Sequence, residues 1–117
     1  MKKYKLTHES IKVLGKTLFR IEAIRDFLTI KKGEKGGYIE KEDNLSHIGD
    51  AWVSENARVY GDALVYGDAW VSENARVYGD ALVSENARVY GDALVSENAR
   101  VYGDALVYGD AQVSGNA

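Results

Sequence analysis

The 117-residue chain is 45% hydrophobic and 28% charged, with a formal net charge of −3, which suits one compact domain or one solenoid with a cap. It contains no cysteine and no proline; this excludes a disulfide framework and a thiolate metal site and fits a reducing cytoplasm. The opening Met1-Lys2-Lys3-Tyr4-Lys5 leads into no long apolar run, so neither a signal peptide nor a membrane span is expected, and Asn44-Leu45-Ser46 reads as a chance match to a glycosylation acceptor.

Residues 1–42 read as an N-terminal capping module. Lys2–Leu6 predicts a short strand and His8-Glu9-Ser10 a turn. Ile11–Leu14 and Thr17–Ala23 flank Gly15-Lys16, which predicts a two-residue hairpin turn with glycine first. The second arm alternates, with Phe19, Ile21 and Ala23 on one face and Leu18, Arg20 and Glu22 on the other. Ile24–Leu28 reads as a helical turn or a continued strand, and Lys31–Gly37 as a polar connector leading to Tyr38-Ile39. That connector is a weak candidate for cradling phosphate, because no helix clearly follows it.

From residue 43 the pattern changes to a period of six. Alanine recurs from Ala51 to Ala117 and valine two residues later from Val53 to Val113, with Gly-Asp, Glu-Asn or Gly-Asn between successive hexads. Two residues apart on an extended chain means the same side, so alanine and valine face inward and the residue between them outward. Gly, Asp and Asn suit the corners because they tolerate left-handed backbone angles. One hexad is then a short strand plus a corner, and three hexads close a triangular coil of 18 residues. Asp43–Ile48 reads as a degenerate first hexad. The expected fold is all-β, a parallel β-helix of about four coils over residues 43–117, roughly 20 Å tall at the usual strand spacing. No coil can bury its inner face alone, so the stack is the stable unit, and its open first coil needs a cap.

The hexads resemble those of the hexapeptide-repeat, left-handed parallel β-helix proteins, whose motif is an aliphatic residue, three turn residues, a small residue and any residue. Val53-Ser54-Glu55-Asn56-Ala57-Arg58 fits at the aliphatic and small positions and departs at the second, where the acyltransferases of this fold often carry glycine or an acid. Left-handed coiling is what the resemblance implies. The run Lys3-Tyr4-Lys5-Leu6, Arg20-Ile21-Glu22-Ala23, Asp26-Phe27, Gly36-Gly37-Tyr38-Ile39-Glu40 and Asn44-Leu45-Ser46 resembles the N-terminal module of a bacterial and phage hexapeptide-repeat family commonly labelled a transferase on fold alone. In such a cap Phe27 would cover the first Ala/Val layer and Asp26 would satisfy corner amides.

Any function must lie in the outward rows, the cap or the last coil. Residues 18 apart stack, so Trp52, Trp70, Arg88 and Leu106 share face one, Arg58, Arg76, Leu94 and Gln112 face two, and Leu64, Leu82 and Arg100 face three. Trp52 over Trp70 is either a binding hot spot or one tryptophan copied by repeat duplication. The Arg58–Arg76 row either grips carboxylates or phosphates or pairs with the local Glu55 and Glu73. The tyrosines, Tyr60 over Tyr78 among them, can stack along the solenoid and shield strand edges. The last coil, with Leu106, Val113, Asn116 and Ala117, is expected to pair with a second copy, most simply as a dimer joined through the C-terminal coils.

Charge is divided unevenly. Residues 1–48 hold 11 Lys/Arg against 7 Asp/Glu, a net +4, and residues 49–117 hold 4 against 11, a net −7. An acidic column with a basic cap argues against nucleic acid binding along the solenoid and leaves room for a basic partner surface. The acyltransferases of this fold resemble each other in a histidine placed between subunits, and the gamma-type carbonic anhydrases need three histidines for zinc. Only His8 and His47 occur here, neither in a regular repeat, and His47 is expected to make a cap hydrogen bond. Flat ice-binding helices carry threonine rows, and threonine occurs only at positions 7, 17 and 29. The Asp/Asn corner ladder is expected for backbone reasons and lacks the nonapeptide calcium signature. No catalytic residue, metal site or cofactor is implied. The expected function is a non-catalytic, oligomeric, cytoplasmic binding protein, of phage or prophage origin by the resemblance, that recognises or sequesters a host protein, a defence component included, or a small anionic ligand. The alternatives are a filament-forming scaffold and a residual acyltransferase-like enzyme.

Overall fold

A computed structural model describes residues 2–116. The chain opens with a long antiparallel hairpin, β1 (Tyr4–Val13) and β2 (Lys16–Ala23), followed by β3 (Lys35–Ile39) and a single 3₁₀ turn at Glu42–Asn44. Eleven two-residue strands follow at six-residue intervals: β4 (Trp52–Val53), β5 (Arg58–Val59), β6 (Leu64–Val65), β7 (Trp70–Val71), β8 (Arg76–Val77), β9 (Leu82–Val83), β10 (Arg88–Val89), β11 (Leu94–Val95), β12 (Arg100–Val101), β13 (Leu106–Val107) and β14 (Gln112–Val113). They form three parallel stacks, β4-β7-β10-β13, β5-β8-β11-β14 and β6-β9-β12, each in register at 18 residues. The molecule is thus a parallel β-solenoid of about four coils, as the hexad period predicts. No helix among the described residues is long and apolar enough to cross a membrane.

The interior follows from the inward pair of each hexad. Alanines 51 to 99 and valines 53 to 95 are at most 1% exposed. A valine buried this way contributes roughly 1.5–3 kcal/mol before entropy is counted. Between coils, each outward residue donates its backbone N–H to the carbonyl 17 residues on, as from Trp52 to Ala69 (3.1 Å) and from Leu64 to Ala81 (3.0 Å).

The cap joins this stack through β3, which pairs antiparallel with β2 and parallel with β5, so that β1, β2 and β3 extend face two into a seven-stranded sheet. Several details differ from the sequence expectation. The segment His8–Ser10 is no turn: β1 runs through it, and a register shift between Leu6 and Ser10 absorbs the extra residues as a bulge. The hairpin turn is Leu14-Gly15, because Val13 pairs with Lys16 and both turn residues have positive φ, 50° and 81°. Ile24–Leu28 forms neither helix nor long strand; Phe27 and Ile30 bridge a tight loop with Leu28 at φ 46°.

Gly36 and Gly37 lie inside β3, not in a connector. A Cβ on Gly36 would stand 2.5 Å from the Val53 carbonyl oxygen and 2.6 Å from Ile21, and one on Gly37 would stand 2.6 Å from the Ala57 carbonyl oxygen. Only glycine lets the cap strand cross the foot of the solenoid at this distance.

Candidate functional site

The cap reshapes the outward rows and decides which of the candidate residues are reachable. Trp52 is fully buried: Phe27 meets its ring edge-on at 5.3 Å and Tyr4 at 6.4 Å. The expected exposed tryptophan pair is therefore corrected. Trp52 anchors the cap, and only Trp70, in register above it, remains partly accessible. The physical reason is the loop Ile24–Ile30, which folds over the first rung of face one.

Tyr60 is also not free. It is 4% exposed and belongs to a small outer cluster with Val13, Leu18 and Tyr38, and Tyr78 stacks on it at 5.1 Å with the rings 4° from parallel. Burial pushes its phenol pKa up. Asp26 does not reach the solenoid corners; its Oδ1 accepts the Lys32 backbone N–H (2.7 Å) and closes the cap's own loop. His47 does make cap hydrogen bonds. Its Nδ1 accepts the Lys3 backbone N–H (3.0 Å), which leaves the proton on Nε2 to be donated to Glu42 (2.9 Å), and its ring stacks on Tyr4 at 4.1 Å. The His47 hydrogen bond is the main reason the Glu42 carboxyl lies below the usual range.

The corner carbonyls at the foot are satisfied by single side chains. The Lys3 ammonium donates to Ala51 (2.6 Å) and Gly49 (3.2 Å), Asn44 Nδ2 to Ala63 (2.8 Å) and Gly61 (3.1 Å), and Arg20 to Glu55 (3.3 Å) beside the Tyr38 N–H to Ala57 (2.9 Å). Lys3 is completely buried, and its pKa is pulled down to about 8. None of these three roles was legible from residue type. The only available signal was that the first coil must have acceptors to satisfy.

Surface depressions remain above the cap on all three faces. One, about 580 Å³, lies on face one between the cap loop Leu28-Thr29 and the row Trp70, Arg88 and Leu106, with Tyr90 beside it, and another, about 460 Å³, lies on face three beside Leu82 and Arg100. Leu28 is 63% exposed and Leu106 54%, and Tyr108, stacked on Tyr90 at 5.4 Å, is 57% exposed. A smaller one, about 360 Å³, lies on face two and is lined by Arg58, Arg76, Asn56 and Asn74 with Tyr38, Ile11 and Asp92 around them. Arg58 and Arg76 pair neither with Glu55 nor with Glu73 at ion-pair distance. Leu106, Val113 and Asn116 sit in the last described coil, with Val113 only partly buried and Asn116 exposed; Ala117 lies outside the described residues. Among the described residues, no three or more His, Cys, Asp or Glu side chains are grouped to hold a metal ion.

Comparison with protein families agrees with this geometry. Residues 57–73, 87–101 and 99–115 match the model described as YdcK Beta solenoid repeat. The repeats are β-solenoid repeats. The matched stretches all lie within the hexad repeats, so residues 2–42 stand outside them. A comparison with curated proteins finds no match.

Proposed function

We propose that the protein is a non-catalytic binding module that engages a partner protein through the groove on face one. The observation that carries this reading is the meeting of Trp70, Arg88, Tyr90 and Leu106 with the exposed Leu28 of the cap in one depression of about 580 Å³. Tryptophan, tyrosine and arginine dominate binding hot spots, and half-exposed leucines beside them are covered most cheaply by a partner. Arg88 pairs with no carboxylate among the described residues, so the groove suits a segment offering an apolar side chain to Trp70 and a carboxylate to Arg88. The reading is non-catalytic because His8 is an exposed strand residue and both ring nitrogens of His47 are committed within the cap.

The resemblance of residues 3–46 to the capped phage and bacterial hexapeptide proteins supports a phage or prophage origin and a host protein as the partner. The lack of cysteine fits a cytoplasmic setting. Homo-oligomerisation belongs to the same proposal, because Leu106 is half exposed and Val113 incompletely covered; light scattering at micromolar concentration should give twice the monomer mass.

Affinity capture from host lysate tests the groove. Partners held by the wild type should be lost with Trp70→Ala and with Leu28→Asp, and kept with Arg100→Gln on face three. Equal capture by all four proteins would remove face one from the proposal.

A further inference from the structure

The outward row of face two runs Arg20, Tyr38, Arg58, Arg76, Leu94, Gln112 across neighbouring strands. Its three arginines are treated differently. Arg20 is saturated: it pairs with Glu9 (2.9 Å), donates to the Gly36 carbonyl (2.6 Å) and the Tyr38 hydroxyl (2.6 Å), and lies 4.4 Å from the Tyr38 ring centre. Arg58 and Arg76 are directly opposite on adjacent parallel strands, about 4.8 Å apart in backbone terms. Among the described residues, neither meets a carboxylate at ion-pair distance nor donates a side-chain hydrogen bond.

Like charges directly opposite on neighbouring strands are destabilising, and a pair placed this way on an otherwise acidic column calls for a counter-charge. The surroundings supply a place for one. The depression beside them, about 360 Å³, has Asn56 and Asn74 as neutral donors along one side and Tyr38 and Ile11 closing its lower end. Asp92 stands at the upper rim, in the same column as the two asparagines, and Asp110 continues that column above it. These acids limit the length of the guest: a long polyanion following the column would be repelled, whereas a single compact anion between the arginines would not.

We infer that the Arg58–Arg76 slot is a site for a tetrahedral oxyanion, a phosphate or a phosphomonoester, bridged by the two guanidinium groups and flanked by Asn56 and Asn74. Two planar forks at strand spacing match the several acceptor oxygens of such an anion, where two ammonium groups would act only as point charges. The site is on a different face from the groove of Trp70, so either can hold while the other fails.

Titration calorimetry with inorganic phosphate and, separately, O-phosphoserine, at ionic strength fixed with chloride, tests the slot. The wild type should bind at least one of the two saturably. Phosphate binding places the recognition in the free anion; binding of the monoester alone shows that the organic tail is required. Arg58→Gln and Arg76→Gln should each weaken binding about tenfold or more, and Arg100→Gln should leave it unchanged. Circular dichroism checks that each variant is folded; should Arg58→Gln fail that check, Arg58→Lys keeps charge and stem and should still weaken binding through loss of the fork. No saturable binding of either probe, or equal binding in wild type and both face-two variants, would overturn the inference. Partner capture by the Trp70 groove reads out separately on the same variants.

Discussion

The foot of the solenoid and the coils above it are made of the same hexads but held together in different ways. Above the foot, each coil offers carbonyls to the N–H groups of the coil below and the pattern repeats without naming any particular side chain. At the foot there is no coil below. The carbonyl pairs of Gly49 and Ala51, of Glu55 and Ala57, and of Gly61 and Ala63 fall to Lys3, to Arg20 with the Tyr38 amide, and to Asn44. Three corners six residues apart are closed by three chemically different groups. The stack is redundant, so a fault in one rung is shared with its neighbours. The foot is not, because each closing group occurs once.

The largest expected effect therefore comes from lifting the cap off the foot. Gly36→Ala places a Cβ against the Val53 carbonyl, Ile21 and Trp52 at 2.5–2.8 Å, of which the first is backbone and cannot swing aside. The cost should be about 3 kcal/mol, at the upper end for overpacking. Equilibrium urea denaturation measures it. The fluorescence of Trp52, buried under Phe27 and Tyr4, should change at lower urea than the signal of the stack. A single unchanged transition would mean that cap and stack are one cooperative unit and that foot and coils differ in geometry alone.

A smaller effect separates the buried charge of the foot from its packing. Burial is the main reason the Lys3 pKa falls to about 8, with Asp50 pulling it back up, Arg25 pushing it down and Asp68 pulling it up. In the unfolded chain it returns to about 10.4. Between these values the unfolded state holds a proton that the folded state has released, so the free energy of unfolding rises with pH across the window. The gain should be about 1–2 kcal/mol between pH 8 and 9.5. Tyr4 limits it from above: burial raises its phenol pKa, and its hydroxyl donates to the carbonyls of Leu45 (2.6 Å) and Glu42 (3.0 Å). Once the unfolded phenol ionises, near pH 10, stability must fall again. Denaturation midpoints from pH 7 to 11 should pass through a maximum, and Lys3→Met should remove its rising side while leaving the fall. A rising side that persists in Lys3→Met would assign it to another group.

What could be read in the sequence divides along the same line. Ala51 to Val113, six by six, dictated the coil, the register and the three faces, because a buried prism accepts only that pattern. The foot could not be read, since Lys3 and Asn44 look like ordinary surface residues until the carbonyls beneath them are located. Trp52 was misjudged for a related reason. Its outward direction is correct, but the irregular loop Ile24–Ile30 lies over that side, and no periodicity announces it. The stacking of Tyr60 with Tyr78 follows the 18-residue register, whereas the cap strands that cover Tyr60 do not. The Gly36-Gly37 pair carried a signal of close approach that a polar-loop reading hid. The change from an 18-residue to a 12-residue sequence repeat also carried more than duplication. Where the repeat is 18, like stacks on like, which gives Trp52 beneath Trp70 and Arg58 beneath Arg76. Where it is 12, against a coil of 18, unlike stacks on unlike, as Arg76 beneath Leu94 and Glu85 beneath Gly103.

That last pairing supplies the smallest and most local test of how the stack is held. Glu73, Glu85 and Glu97 occupy corners with φ near 60°, a region few non-glycine residues enter. Each sends its carboxylate up to the N–H of the glycine 18 residues on, Gly91 (2.8 Å), Gly103 (2.8 Å) and Gly115 (2.6 Å). Glu55, which has Glu73 above it, makes no such bond. The corner glutamate thus accepts a strained backbone and returns a charge-assisted hydrogen bond to the next coil, and the two terms are of similar size, about 1 kcal/mol each. Two substitutions separate them. Glu85→Ala keeps the strain and loses the bond, so it should lower stability by about 1 kcal/mol. Glu85→Gly loses both and should lie close to wild type. Denaturation midpoints of the three proteins should therefore place Glu85→Ala lowest. If Glu85→Ala matched wild type, the carboxylate would be a solvent-exposed ornament of the corner, and the coils would be held by backbone ladders and the Ala/Val prism alone.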